Sequence, residues 1–539
     1  MGGNIKSKPR FFVWYWILYH AFLIYASYIH IKIYFWREQL MKKKLLSIVL
    51  AMSMICAFVP LVASAATSGT CGDNVTWTLD DDGILTISGT GDMKDYESSP
   101  FSNEKNNITA VVIEDGVTSI GDYAFFGQYN LKSVTISDSV KSIGKSEFKY
   151  NNLESITMPN SIIYIGESAF ERCSGLESIT IPDSVRGIGK NAFKKSNLKS
   201  VTILNGVKYI DDGTFCDCSY LTSIIIPDSV TRIGASAFSC CYDLLNITIP
   251  DSIISIEDSA FSNCSSITSI IIPDSVTRIG ASAFSDCSSI TNIKISDSVT
   301  DIGNSAFSGC SGITSIEIPD NITSIGDNVF RNCKSITSIE IPDNVKNIGY
   351  MAFWGCSSLT NITIPNGVIS IGDSAFSSTA YYSDKNNWEN GVLYIGNYLI
   401  KGNNSEINGE YEIKDGTKTI ADSAFYVCRN ITNIVIPNGV ENIGKSAFST
   451  CEQLNNITIP DSVTRIAESA FDNTAYYKDK NNWKDDALYI GNHLIKVDSS
   501  ESNDTYEIKD GTKTIADSAF YGCSSLQNVK IPNSVTQIV

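Results

Sequence analysis

The sequence predicts an elongated solenoid. Short strands stack into a parallel β-sheet along one face, short helical turns and loops cover the other, and a β-hairpin closes the first edge. Three observations predict it. A phenylalanine recurs at steps of 22 or 23 residues from Phe125 through Phe148, Phe170 and Phe193 to Phe376, then again at Phe425, Phe448, Phe471 and Phe520. The segments between these residues share one pattern of apolar and polar positions. A chain of 539 residues, 43% of them hydrophobic, is also too long for one compact globule.

The first 66 residues stand apart from this array. From Met41 the chain has a basic start (Lys42, Lys43, Lys44), an apolar run from Leu45 to about Val59, and the small residues Ala63-Ser64-Ala65. That order reads as a secretory signal over 41–66, cleaved after Ala65 or Ala66. Residues 1–40, aromatic and apolar around Trp14 and Trp16, do not fit in front of a signal. They are either an additional membrane segment or a non-native extension from a start codon placed too early. The complete signal at Met41 favours the second. Beyond the N-terminus no apolar run is long enough to span a bilayer, so no membrane role beyond export is expected.

Residues 67–104 read as an N-terminal β cap. Val75–Leu79 and Ile84–Ser88 alternate about the turn Asp80-Asp81-Asp82-Gly83, and a hairpin here would cover the open edge of the stack. The solenoid then runs over 105–539. One coil reads Cys264 to Asp286. Ile267, Ile270 and Ile272 point inward while Ser269 and Ile271 point outward, a strand of period two. Pro273-Asp274-Ser275 ends it, because proline presets a turn and cannot join the ladder. Val276 and Ile279 turn inward again, Gly280 allows a bend, and Ser282-Ala283-Phe284 starts a short helical turn. No coil can bury its own apolar edge. Stacked about 4.8 Å apart, sixteen coils make an arc of roughly 75 Å.

Two of the phenylalanine steps grow to 49 residues, each adding a module, at about 379–410 and 474–505. Tyr381, Trp388 and the run Leu393–Ile400 in the first return as Tyr476, Trp483 and Leu488–Ile495 in the second. Apolar runs around Gly-Asn read as a hairpin with a two-residue turn. The register predicts two hairpins three coils apart that protrude on one side and could grip a repeating ligand. The chain stops at Ile538-Val539, halfway through a coil, which reads as a truncated array.

The pattern L-x-x-I-x-I-P-x-x-V-x-x-I-G-x-x-A-F-x-x-C resembles the BspA-like leucine-rich repeats, the 23-residue type of bacterial surface proteins. The leader Thr70–Gly91 and the motif A-Y-Y-x-D-K-N-N-W are similar to that family as well. The resemblance implies a leucine-rich-repeat horseshoe of the α/β type, with its sheet on the concave face. It also implies a secreted or cell-surface protein that attaches to host or microbial ligands.

The chemistry-bearing residues point away from catalysis. Eleven of the fifteen cysteines lie three residues after a repeat phenylalanine, from Cys173 and Cys218 to Cys451 and Cys523. They read as a core ladder of small, weakly polar side chains. Disulfides between neighbouring coils stay open, and a spacing of 23 does not suit a metal. His493 is the only histidine after Met41, and Tyr398 holds its place in the other module. It reads as a hairpin surface residue, which removes any histidine-based triad. The Asp column after proline (Asp183, Asp228, Asp274 and others) alternates with Asn, which fits local turn capping better than cation binding. No catalytic, cofactor or metal site is expected.

Residues 67–539 carry 33 basic and 57 acidic side chains once the eight basic residues and one acidic residue of the first 66 are set aside. That net of −24 repels phosphate backbones, so nucleic acid is not a partner. Binding is expected on the concave face, where Ser, Thr and Asn give way in the middle to Ile225, Ile271, Lys294, Glu317 and Glu340. The aromatics Tyr381, Trp388, Tyr476 and Trp483 either offer a platform for sugars or proteins or form the hairpins' own core, and the second is favoured. The expected protein is a monomeric adhesion or interaction protein for an extracellular protein or glycan. The alternatives are the accessory array of a larger secreted enzyme and a structural envelope spacer.

Overall fold

A computed structural model describes residues 67–498 and 504–538. The predicted extension (1–40) and signal segment (41–66) lie outside the described residues.

Each coil joins its neighbours along three lines. The first is the predicted strand. Ser178–Ile181, Ser200–Ile203 and Ser223–Ile225 pair in parallel, as do Ser269–Ile271 and Asn292–Lys294. The inward positions, such as Ile179, Val201, Ile224, Ile270 and Ile293, are buried and the alternate residues, Ile225 and Ile271 among them, are largely exposed, as a period of two requires. The second line is a ladder of two-residue strands at the V-x-x-I position, ten strands long from Gly91–Asp92 to Asp301–Ile302.

The third line was not foreseen. The expected helical turn at Ser-Ala-Phe is instead a run of β-turns with left-handed residues between them, Ser282 at φ 54° and Asp286 at φ 58°. The reason lies in the backbone hydrogen bonds. Ser282, Phe284 and Asp286 donate to Asn304, Ala306 and Ser308 of the next coil at 2.9, 2.8 and 2.7 Å. The amides between them, Ala283, Ser285 and Cys287, close turns within their own coil. A helix would keep all these donors for itself and leave the coils unjoined, so the inter-coil bonds hold serine where it is otherwise disfavoured.

The phenylalanines up to Phe376 form one stacked column, and Phe425, Phe448 and Phe471 form a second. Phe238 and Phe261 lie 5.4 Å apart with planes 1° off parallel, and Phe284 and Phe307 lie 5.6 Å apart at 3°. The column starts one ring earlier than the repeat suggested, at Phe101, which stacks on Phe125 at 5.5 Å and takes Trp77 on its outer side, edge-on at 5.4 Å. Phe101 thus gives the predicted cap region its own ring in the column. The hairpin of Val75–Leu79 and Ile84–Gly89 forms as predicted, with Thr67–Thr70 as a third antiparallel strand. Its inner strand continues in parallel into Ala110–Ile113.

The inserted hairpins do not protrude, and this corrects the expectation above. Val392–Ile395 pairs antiparallel with Tyr398–Gly402, and Tyr398-Leu399 then pairs in parallel with Thr419-Ile420. Leu393, Ile395, Tyr398 and Ile400 pack on the core of the preceding coils, while Val392, Tyr394 and Leu399 pack on the core of the following ones. The second hairpin is divided in the same way, with Leu488, Ile490 and Ile495 on one side and Ala487, Leu494 and Val497 on the other. Each hairpin is a wedge between coils. That is why the runs Val392–Ile395 and Tyr398–Ile400 are buried at every position and do not alternate.

Candidate functional site

The long-strand face is mostly small and polar, but one region is not. Ile225 and Ile271 are 65% and 70% exposed on it, and Leu245, on the coil between them, is 50% exposed. Tyr220 and Tyr242, just ahead of two of these strands, are exposed too. Sequence reading marked the two isoleucines and missed Leu245, Tyr220 and Tyr242, which lie just before the strand core where the repeat does not fix direction. Regular strand pairing lapses here, with a single bridge between Ser223 and Asn246. Lys294, Glu317 and Glu340 follow in the same outward column and are all exposed. None of the three forms an ion pair among the described residues, so their charges face solvent.

The four module aromatics are half-buried. Thr379 Oγ1 accepts from the Tyr382 N–H and caps a one-turn helix, Ala380–Ser383. Trp388 follows. Its Nε1–H donates to the Tyr382 carbonyl at 2.8 Å, its ring meets Tyr382 edge-on at 5.2 Å, and Lys385 lies over it at 5.1 Å. Trp483 repeats all three contacts with Tyr477 and Lys480. The Tyr381 and Tyr476 hydroxyls each donate to a carbonyl of their own hairpin, Tyr394 and Tyr489, at 3.0 Å. The polar tips of these side chains are thus used within the module, and only ring faces remain for a ligand.

The cysteine column is buried apart from its half-buried last member, Cys523, and its described members are free thiols. Its role is more specific than filling space. Each thiol from Cys241 to Cys356 points at the carbonyl of the phenylalanine one coil back, as Cys287 does to Phe261 at 3.1 Å. Ser196 and Asn151, in the same slot, donate to Phe170 and Phe125. The slot selects a small donor for a buried carbonyl. Burial pushes these thiols up, Cys287 to about 12, so they are poor nucleophiles.

Three further corrections concern polar residues. His493 is fully buried, not on the surface. Tyr398, its counterpart, donates its hydroxyl to the Pro365 carbonyl, but neither ring nitrogen of His493 makes a well-formed hydrogen bond. Burial holds the imidazole below its ordinary value, against weaker opposing pulls from the Pro460 carbonyl and Asp461. The Asp column after proline does not cap the turn. That work falls to the next residue, Ser275, whose hydroxyl donates to the Ile253 carbonyl of the previous coil at 2.6 Å, and to its equivalents. Capping by Asp occurs instead just after the glycine, where Asp122, following Gly121, accepts from the Lys145 N–H at 2.6 Å. Among the described residues no group of three or more metal-binding side chains forms, and no helix is long and apolar enough to cross a membrane.

A family model described as BspA type leucine rich repeat region, in 6 copies, matches residues 94–222, 208–334, 286–407 and 496–539. Similar solved structures include a leucine-rich repeat protein from Bacteroides ovatus ATCC 8483, 25% identical, over 72% of this chain and 94% of that one, with a TM-score of 0.47. A leucine-rich repeat protein from Eubacterium ventriosum ATCC 27560 is 23% identical over 78% and 98%, with a TM-score of 0.37. A leucine rich cell surface protein from Faecalibacterium prausnitzii A2-165 is 26% identical over 73% and 94%, with a TM-score of 0.34. No curated protein matches the chain.

Proposed function

The chain belongs to the BspA-type leucine-rich-repeat family, and on that premise we propose that it is an exported or surface-held binding protein without catalytic activity of its own. Its ligand is an extracellular protein taken on the long-strand face. The observation that carries this reading is the exposed apolar side chains of Ile225, Leu245 and Ile271 on a face that is elsewhere polar or charged. At one coil spacing per step, Ile225 and Ile271 stand roughly 10 Å apart. Exposed apolar side chains on successive coils mark contact surfaces, since water alone gives no reason to keep them there. Lys294, Glu317 and Glu340 extend the same column with free charge, which suits the polar rim of a protein interface. The signal-like segment at 41–66 supports export. The half-exposed ring faces of Trp388 and Trp483 are secondary contacts in this reading.

The test uses the full chain against immobilised host matrix proteins and microbial surfaces. Thr occupies this column at Thr180, Thr202 and Thr248, so Ile225→Thr with Ile271→Thr keeps the strand. Wild-type binding that falls at least tenfold in the double variant, with the thermal transition unmoved, supports the reading. Unchanged binding by the double variant, or no binding by the wild type, leaves a structural spacer.

A further inference from the structure

The ladder of two-residue strands carries two outward columns, and both change character over four coils. In the first column stand Lys141, Ile163, Arg186 and Lys208, all exposed. The Ile163, Arg186 and Lys208 N–H groups each donate to the carbonyl of the column residue one coil back at 2.8 Å, which keeps the four in register. The Lys141, Arg186 and Lys208 head groups have no ion-pair partner among the described residues. Arg186 gives one N–H to the Asp183 carbonyl at 2.6 Å. Most acidic side chains nearby are engaged elsewhere: Glu167 with Lys145, Asp211 and Asp212 with Arg232, and Asp92 with the Thr118 and Ser119 hydroxyls. Asp183 is exposed in the turn before Arg186. Residues 141–208 hold ten basic and six acidic side chains, a net of +4, while the remainder of 67–539 holds 23 and 51.

The second column, one residue further along each coil, runs through Ser142, Tyr164, Gly187, Tyr209 and Arg232, paired in parallel. Gly187 holds an outward position and is nevertheless buried. Tyr209 lies across it, so that a Cβ on Gly187 would fall 2.2 Å from the ring carbon Cζ. From the other side the Tyr164 hydroxyl reaches Gly189 of the same coil, 2.8 Å from where a Cβ would stand. The two tyrosines thus lean over the coil between them, and the missing side chains of its glycines make the room. Tyr164 and Tyr209 are still 39% and 37% exposed, so both present ring surface to solvent. Burial, and then the nearby Tyr209, raises the Tyr164 phenol, which stays a hydrogen-bond donor at neutral pH.

We propose that this patch binds a linear acidic polysaccharide, one that carries carboxylate or sulfate groups, laid along the solenoid axis. The cations stand in line, with Lys141 and Lys208 three coils, or roughly 14 Å, apart, which matches a polymer whose charge repeats along its length. Its oxyanions answer both lysines, and the planar Arg186 guanidinium can take two oxygens at once. Sugar C–H faces then lie on the tyrosine rings beside the cations, and Ile163 adds an apolar contact between Lys141 and Arg186. A neutral glycan would leave three charges unanswered, and an apolar ligand would strip water from them. The acidic remainder of the chain repels the same polymer and confines it to this patch. An acidic peptide could meet the cations but brings no row of flat C–H faces for the tyrosines. All these residues belong to the two-residue strands, not to the long strands, so the inference does not rest on the protein ligand proposed above.

The experiment passes the full chain over immobilised hyaluronan, chondroitin sulfate and polygalacturonate, with dextran as the neutral glycan and polyglutamate as the acidic peptide. At least one acidic glycan is expected to bind at least tenfold more tightly than dextran or polyglutamate, and more weakly as salt is raised. Thr fills the cationic column at Thr231, Thr277 and Thr300, so Arg186→Thr with Lys208→Thr keeps the ladder and should weaken binding at least tenfold. Ser stands in the aromatic column at Ser142 and Ser255, so Tyr209→Ser keeps the strand and should weaken binding as well. Lys346→Thr, in the cationic column far along the array, should leave the affinity unchanged. Thermal unfolding of each variant close to wild type separates loss of the site from loss of the fold. The proposal is overturned if no acidic glycan binds, if polyglutamate binds as tightly as the glycans, if Lys346→Thr weakens binding as much as the double variant does, or if either the double variant or Tyr209→Ser binds as the wild type does.

Discussion

Glu147 stands where the repeat places alanine, between Ala124 and Ala169 in the same column, and it is fully buried with neither carboxyl oxygen in a well-formed hydrogen bond. Burial raises its pKa well above the ordinary carboxyl value. The nearby Ala124 and Phe125 amides offset part of that, and Asp122 and Asp95 add to it. Tyr96 is the other titratable group that faces it. The folded chain therefore holds this proton more tightly than the unfolded one. The stability it contributes is full below about pH 4.3 and is lost as pH rises toward the raised value, by about 1.4 kcal/mol for each pH unit. Glu147→Gln keeps the shape and removes the ionisation, so the slope should vanish. Glu147→Ala restores the residue of the column and should add about 1–3 kcal/mol at neutral pH, the usual cost of a buried polar group without partners. Because coils stabilise only their neighbours, the readout is hydrogen exchange of amides 122–170 at a series of pH values, corrected for intrinsic rates. Identical slopes in wild type and Glu147→Gln, or a wild type that gains stability as pH rises, would refute the reasoning.

The opposite sign is expected at the other end of the array. His493 is held neutral by burial, so the stability it lends is present above its ordinary value near pH 6.5 and is lost as pH falls through its lowered value. His493→Tyr should recreate the Tyr398–Pro365 hydrogen bond on Pro460 and abolish that loss, read from exchange across residues 487–516. In the cysteine column, Cys287→Ser should be nearly neutral, because Ser196 already fills this slot. Cys287→Ala removes one of the two donors on the Phe261 carbonyl, which keeps the Cys264 N–H, and should cost about 0.5–1.5 kcal/mol, and equal thermal shifts for the two would count against the donor role. Phe284→Ala should cost roughly 3–5 kcal/mol and loosen residues 261–307 before distant coils, which exchange on the purified chain would show.

The register of this fold was open to reading because every coil repeats the same burial problem. A residue that must be Phe125 in one coil must be Phe148 in the next, and the strand, proline turn and second apolar pair follow from it. What stayed hidden depends on the neighbouring coil. The Cys slot looked like a matter of size, since no sequence shows that Cys287 faces the Phe261 carbonyl. Phe101 follows Pro100 and lacks the Ala-Phe signature, so the ring that starts the column was not aligned with the rest. The turn at Ser282 read as helical because its own residues permit a helix, and only donors shared with Asn304 and Ala306 decide otherwise. His493 was judged by its polarity, although its counterpart Tyr398 opens the apolar run Tyr398–Ile400, and that run was the better guide.

The same error explains the misplaced inserts, and correcting it changes what they do. Leu393–Ile395 and Tyr398–Ile400 are apolar at every position. A hairpin standing in water would have alternated, so the unbroken run already required a neighbour on both faces. The wedge that satisfies this breaks the phenylalanine column. Phe376 does not stack on Phe425. Instead Tyr411 meets Phe425 at 5.7 Å with planes 56° apart, and Tyr506 meets Phe520 at 5.7 Å and 71°. Each module therefore divides one continuous core into two, joined through the faces of a hairpin. A joint of this kind does not need its outer edge to hold the coils together. That edge is where the two copies have diverged, paired through Glu389 and Lys414 in one and carrying Lys484 and Lys509 at the same positions in the other.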